Sequence, residues 1–524
     1  MAEHSTLNRQ VEGSIPSAST TPPSSFLRSA RSRHFANAGS ALYLFTARVI
    51  VSVLQLRFVE RSWGGSYSGL NALSNQILLY MTLLELGLSA SAITFLYEPI
   101  AAADHDRVSA LVCALRHDIR SLLGIGAAVA FPVLALYAHA IHSPIPMRVL
   151  LPTLWLVAST GLVQLATLHF QVYLNAAERI SRVNFVLGTG YLVKTAIGLP
   201  LAIHYHHYLL LPLTITLLTF AEFAALKLSF RYSFPAFSFV RKWHDVAAAI
   251  RTRAKYVVVH RVSGLAYYQT DFIILSLTTS LIVVQDYAKF QYVAAAILSV
   301  IGMMAVSLTA SLARLQLRNS QETRRQQYVL AQRTVATIGA VLMLAFWFTA
   351  HTVVRLAFGR FSGVTETAII LFGVALFLNI IKTVDDAFLA AKGLYEIGIW
   401  IPIVEVPTYL IAGFLLSRRM GISGILIAAI LTNVLVSTVC KGVVLAAPVF
   451  DSTPAQWFLT RIGSISRGAV LVLPLVALYL AAPRVLPHNA TLQFFILNGV
   501  AGLYALLVVR RMVAKYRGVR RLAL

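Results

Sequence analysis

The residues of this chain that could do chemistry are charges stranded in apolar surroundings. Arg48, Arg57, Glu85, Lys194, Glu222 and Arg261 fall inside mostly hydrophobic runs, as do Asp271, Lys289, Lys382, Asp385, Asp386, Glu405 and Lys441. If those runs cross a membrane, each charge costs roughly 2.5 to 3.5 kcal/mol at mid-bilayer on insertion scales and needs a partner, a wet cavity or a route to the interface. The chemistry on offer is therefore the binding of a solute or ion within the membrane. Arg48 lies mid-run with no escape to water. Arg57 ends its run and reads as an interfacial snorkeller. Glu222, Arg355 and Lys441 also lie near ends and read as structural. Lys382 precedes Asp385 and Asp386 at helical spacing, which predicts a local Lys–Asp pair. Glu85 and Asp271 are open to three roles: partners of cations, carriers of a coupling proton or cation, or helix-packing groups.

The elements that must position these charges follow from composition. The chain has 524 residues, 58% hydrophobic and 12% charged, against roughly 25% charged in soluble domains. A spanning helix needs about 20 mostly apolar residues. Such windows predict fourteen spans, near 38–58, 68–97, 119–141, 149–173, 183–203, 208–228, 256–280, 287–313, 334–357, 367–390, 397–416, 421–445, 468–482 and 492–510. Pro132, Pro200, Pro402, Pro407 and Pro474 offer kinks.

Several function classes drop out. The net charge of +24 is spread through loops and forms no stripe or nucleic-acid-reading motif, so no nucleic-acid partner is expected. Cys113 and Cys440, the two cysteines, match no metal or redox spacing. His204, His206 and His207 share one short turn, where a solvated loop is the simpler reading than a metal site. No Gly-rich Lys motif for a nucleotide is present, and no cofactor is expected. The first apolar run continues past Val53 without a cleavage site, so it is expected to remain as a membrane span.

Loop charge sets orientation, because cytoplasmic loops carry the excess of Lys and Arg. One set of alternate loops holds Arg107 and Arg116, then Arg179 and Arg182, then Arg241, Lys242, Arg251 and Arg253, and the terminal Arg517, Arg520 and Arg521. The opposite set holds little beyond Arg61, Arg148, Arg360, Arg418, Arg419 and Arg484. Both termini are therefore expected in the cytoplasm. The outside loops are too short for a receptor or an external catalytic domain, so the chain is expected not to be an enzyme. A repeat supports an even architecture: Gly87–Tyr97 is echoed by Val306–Gln316, and Tyr173–Arg179 by Phe388–Gly393, at nearly one offset. An even number of spans between the copies makes them parallel repeats, a common transporter plan.

Four stretches carry a family resemblance: Glu85-Leu-Gly-Leu-Ser89 at the end of span two, Tyr267-Tyr-Gln-Thr-Asp-Phe-Ile-Ile274 in span seven followed by Tyr287, Ala387–Leu394 after span ten, and Gly421–Ala428 opening span twelve. In their order and spacing they resemble the polysaccharide, or O-antigen type, flippase branch of the multidrug/oligosaccharidyl-lipid/polysaccharide exporter superfamily. The bulky Ile425 and Ile427 depart from that pattern. The resemblance implies an all-α polytopic fold of two pseudo-symmetric six-helix lobes plus two C-terminal helices.

The expected organisation is a disordered tail over 1–36, lobes over 37–228 and 256–446 joined by a basic linker over 229–255, two further helices over 447–511 and a basic tail over 512–524. The resemblance further implies a bacterial inner-membrane flippase for an undecaprenyl-diphosphate-linked glycan, with a polysaccharide polymerase or chain-length regulator as candidate partners. A cavity lined by spans one, two, seven and eight would select Arg48, Arg261 and Lys289 as phosphate or sugar contacts. Arg can grip diphosphate oxygens bidentately, whereas Lys offers a point charge. Gln55, Gln76, Tyr80, Tyr268, Gln269 and Gln291 would suit sugar hydroxyls and ring faces, and Glu85 and Asp271 are the candidates for ion coupling. The competing class is an ion-coupled drug or metabolite antiporter of the multidrug branch, whose mark would be an essential acidic residue.

Overall fold

In lipid every backbone N–H and C=O must be satisfied within its own segment, so long apolar runs have to fold as helices. The computed structural model describes residues 24–81, 85, 87–238, 247–248, 250–251, 270–316, 321–359, 363–392, 397–485 and 490–522, and these residues are helical with no strand among them. Among the described residues, eleven helical stretches, some joining two of the elements below, are long and apolar enough to cross a membrane. They overlap eleven of the fourteen expected spans, although the thirteenth, expected over 468–482, begins at Pro454.

The first half comprises α1 (Ser24–Trp63), α2 (Gly65–Met81), α3 (Leu88–Ala101), α4 (His105–Ala140), α5 (Met147–Ala166), α6 (Leu168–Ala176), α7 (Ile180–His204) and α8 (Leu210–Ser233). The second half follows with α9 (Asp271–Thr278), α10 (Leu281–Gln316), α11 (Gln321–Phe358), α12 (Glu366–Lys392), α13 (Trp400–Met420), α14 (Ile422–Leu431) and α15 (Thr438–Phe450). Two further elements, α16 (Pro454–Val470) and α17 (Leu473–Val485), precede a last helix, α18 (Ala490–Leu522).

Three expected spans differ. Span two is broken into α2 and α3 around Gly87, whose φ of 69° lies in the left-handed region that favours glycine. Of span seven only the part from Thr270 onward lies within the described residues. Span fourteen belongs to a helix that runs on to Leu522, through the basic residues assigned to a tail. At the other terminus α1 begins at Ser24, so 24–36 are helical where composition suggested disorder. No proline follows Pro23 before the apolar run, and nothing stops a membrane helix from propagating back to that point. Likewise α8 continues to Ser233, into the segment read as linker.

Outward faces are apolar in a way water would not tolerate: Leu136 is 74% exposed and Leu228 70%, with Phe185, Leu217 and Leu480 also exposed. Inside, the largest apolar core draws on both halves, from Leu56, Leu70 and Leu154 to Phe272, Phe290, Phe372 and Leu426. The halves meet chiefly where α2 lies along α10. Gly69 makes that approach possible, since a Cβ there would run into the carbonyl of Leu281. At the same end Lys289, fully buried, pairs with Glu60 at 3.0 Å and Asp286 at 3.5 Å, and Asp286 accepts the Gly363 amide at 2.7 Å.

α16 starts with a capping box, the Thr453 hydroxyl accepting from the Gln456 amide at 3.3 Å and the Gln456 side chain accepting from the Thr453 amide at 3.2 Å. It packs on α11 and α15, while α18 packs on α11.

Candidate functional site: a polar cavity beside the seam

Polar residues recur on the inward faces of α1, α2 and α7: Ser52 and Gln55, Asn75 and Gln76, Tyr191, Lys194 and Thr195. With Thr160 and Gln164 of α5, Ile215 of α8 and Tyr292 of α10, they enclose a cavity of about 290 Å³. Tyr292 brings the second half into its wall.

Part of the wall is fixed by internal bonds. Gln55 donates to the Thr195 hydroxyl at 2.9 Å and accepts from Asn71 at 3.4 Å, so its amide orientation is set from two sides. Lys194 is buried and pairs with Glu222 of α8 at 2.7 Å, its ammonium also donating to Thr219 at 3.5 Å. That pair neutralises itself. Gly190 is what lets the Glu222 carboxylate close in, because a Cβ at 190 would collide with it.

Two features remain open to a ligand. Gln76 is buried, yet its Oε1 has no hydrogen-bond partner among the described residues, so a water or a ligand donor would satisfy it. Arg48 lines the cavity with its guanidinium 5.2 Å from the centre of the Tyr191 ring, a cation–π contact, and has no carboxylate partner among the described residues. Lys194 approaches the same ring at 5.1 Å. The cavity thus holds a net positive charge among amides and hydroxyls.

The expected site residues are therefore only partly assembled. Arg48, Gln55 and Gln76 converge on this cavity. Lys289 does not line it and is held in the seam by carboxylates. Gln291, half-buried, is also outside its lining. Tyr80 instead joins the halves, its hydroxyl bonding that of Thr270 beside the start of α9. Glu85 is buried at the break between α2 and α3 and accepts from Ser89. Asp271 is buried and accepts from both Tyr287 of α10 and Tyr409 of α13. Arg261, Tyr268 and Gln269 lie outside the described residues.

Tyr191, Thr195 and Gln164 belong to the cavity without having been selected from sequence, and Tyr409 to the Asp271 cluster. The available signal was a hydroxyl or amide inside a membrane helix, which has to find a partner or a wet space. The expected local pairing of Lys382 is overturned: Lys382 pairs with Glu405 of α13 at 2.5 Å, Asp386 with Lys441 of α15, and Asp385 with Arg461 of α16 at 3.0 Å. Helix faces pointing at different neighbours separated residues that adjoin in sequence.

Neither a protein-family model nor any curated protein matches the sequence. Solved structures do share the fold. The chain is similar to the lipid II flippase MurJ in an inward closed conformation, with a TM-score of 0.61 and 14% identity over 92% of this chain and 99% of that one. It is similar to a multidrug-resistance MATE family transporter of the MOP superfamily in an inward-facing conformation, with a TM-score of 0.61 and 11% identity over 77% and 94%. A eukaryotic MATE transporter superposes with a TM-score of 0.51 and 12% identity over 84% and 99%. The architecture is thus the polytopic helical fold of these proteins.

Proposed function

We propose that this chain is a flippase that carries a polyprenyl-diphosphate-linked oligosaccharide across the bacterial inner membrane by alternating access, in the service of surface-polysaccharide synthesis. The observation that carries the reading is Arg48, a cation without a carboxylate partner among the described residues, in a cavity otherwise lined by amides, hydroxyls and an aromatic ring. A diphosphate supplies the missing anion, and sugar hydroxyls suit Gln55, Gln76 and Tyr191. The fold shared with MurJ, described as a lipid II flippase, supports a lipid-linked substrate.

In this reading the lobes are 37–228 and 256–446, joined by 229–255, with both termini cytoplasmic. The seam of α2 and α10 with its Lys289 pairs closes the outer side, and Arg261, Tyr268 and Gln269 are further candidates for substrate contact. Gln291 and Tyr80 serve the moving wall. The protein is a carrier, not an enzyme, and hands its glycan to a polymerase or chain-length regulator.

A second reading, an ion-coupled drug or metabolite antiporter, is favoured by Asp271, a buried carboxylate between two phenols that could take up a proton or cation; Glu85 is the other candidate for that coupling. Deleting the gene and analysing surface polymer and lipid-linked intermediates separates the two. Loss of polymer with undecaprenyl-linked units accumulating on the cytoplasmic face, rescued by the intact chain and not by Arg48→Ala, is the flippase result. Unchanged polymer with altered sensitivity to cationic drugs selects the antiporter.

A further inference from the structure

At the end of the first half where α3 gives way to α4, α6 to α7 and α8 to residues 234–238, a second cavity of about 530 Å³ opens. It shares no lining residue with the cavity that holds Arg48. Two chemistries meet in it. Arg116 and Arg120, one turn apart on α4, and Lys227 and Arg231, one turn apart on α8, supply four cations. No carboxylate lines the cavity among the described residues, and Asp118, the acid between the two arginines in sequence, is held by Arg251, whose Nε donates to it at 3.1 Å.

Behind the cations stands an aromatic wall. Phe170, Phe230 and Phe234 are buried and Phe223 and Phe237 half-buried. The rings interlock, with the Phe170 and Phe230 centroids 5.2 Å apart and those of Phe230 and Phe237 5.3 Å apart. Within this wall lies His169, only 6% exposed, which lines the cavity.

A free phosphate ion would use the cations and leave the rings idle, and a plain hydrocarbon would do the reverse. An amphiphile with an anionic phosphate head and an aliphatic chain uses both. Guanidinium forks and the Lys ammonium bind phosphate oxygens, and the chain packs on the phenyl faces. We propose that this cavity binds the phosphate headgroup of an anionic membrane phospholipid, independently of whatever solute the protein moves.

Native mass spectrometry of the full chain, titrated with phosphatidylglycerol and with phosphatidylcholine of the same acyl composition, tests this. The variants are Arg116→Gln/Arg120→Gln/Lys227→Gln and, as a basic control elsewhere, Arg510→Gln/Arg511→Gln on α18. Phosphatidylglycerol should be retained over phosphatidylcholine by about tenfold, and the triple variant should lose about that factor while the control keeps it. Lys227→Gln alone, at an exposed position that does not burden folding, should lose about threefold. Equal retention of the two lipids overturns the proposal, as does an equal loss in the control. Displacement of phosphatidylglycerol by millimolar inorganic phosphate would assign the cations to a soluble phosphate instead and overturn the lipid.

Discussion

Intramembrane cations look alike in the sequence, yet the two halves of the molecule treat them differently. Around α12 in the second half three are matched: Lys382 by Glu405, Lys441 by Asp386, and Arg461 by Asp385, which also accepts from Tyr328 and Gln332 at 2.8 Å each. These pairs join α12 to α13, α15 and α16, and act as staples. In the first half Lys194 is matched by Glu222, but Arg48, exposed and lining the cavity, is left to the ring of Tyr191. A charge that folding has already neutralised has little left to offer a ligand. A cation left without a carboxylate, as Arg48 is among the described residues, is where an anionic ligand would lower the free energy.

The comparison predicts a graded series of stability losses. The largest belongs to Asp385→Ala, which strands the buried guanidinium of Arg461 and removes an acceptor from Tyr328 and Gln332. Breaking a buried pair from one side costs about 3 to 5 kcal/mol, so the detergent-solubilised protein should show a clear fall in unfolding midpoint or fail to accumulate. Next comes Lys194→Met, which leaves Glu222 buried without its cation. The double variant Lys194→Met/Glu222→Leu should recover most of the loss, because replacing both charges by apolar groups is often neutral or favourable. Failure of that recovery would mean that Lys194 serves the cavity rather than the packing of α7 on α8.

How much of this was legible beforehand follows from what each feature requires. A span needs only an apolar run of sufficient length, so eleven spans were readable from composition. The break between α2 and α3, beside which Gly87 takes a positive φ, lies inside an apolar run and was not. Arg48 stood out because it lies mid-run in the first span, whereas Gln55 and Gln76 followed from the family resemblance rather than from spacing. Pairings could not be read, since Lys194 and Glu222, or Asp385 and Arg461, meet through helix rotation and tilt that packing alone decides. Lys289 shows the same limit: the resemblance offered it as a ligand contact, and its pairs with Glu60 and Asp286 in the seam could not be read from the sequence.

Smaller again is the expected effect of Lys289→Met, which removes the cation shared by those two carboxylates. Glu60 is a quarter exposed and can rehydrate, so the loss should be about 1 to 3 kcal/mol. The seam, not the global fold, should register it. A cysteine placed at Ile282, on the exposed side of α10 near the seam, should react faster with a thiol reagent in the variant than in its parent. Equal rates would separate the ion pairs from closure of α2 on α10.

The smallest stability effect is assigned to Arg48→Ala, and it is the sharpest test of the contrast. No carboxylate is left stranded by the change, and what is lost from the described contacts is a cation–π interaction worth about 0.5 to 2 kcal/mol, offset by relief of a cation at membrane depth. The unfolding midpoint should therefore stay close to that of the parent while export of the substrate collapses in cells. Arg48→Lys keeps the charge but not the bidentate fork, so it should restore export in part if a diphosphate is the ligand and fully if a simple positive potential suffices. A midpoint lowered as far as in Asp385→Ala would make Arg48 another staple, and the two halves would then differ in nothing but their partners.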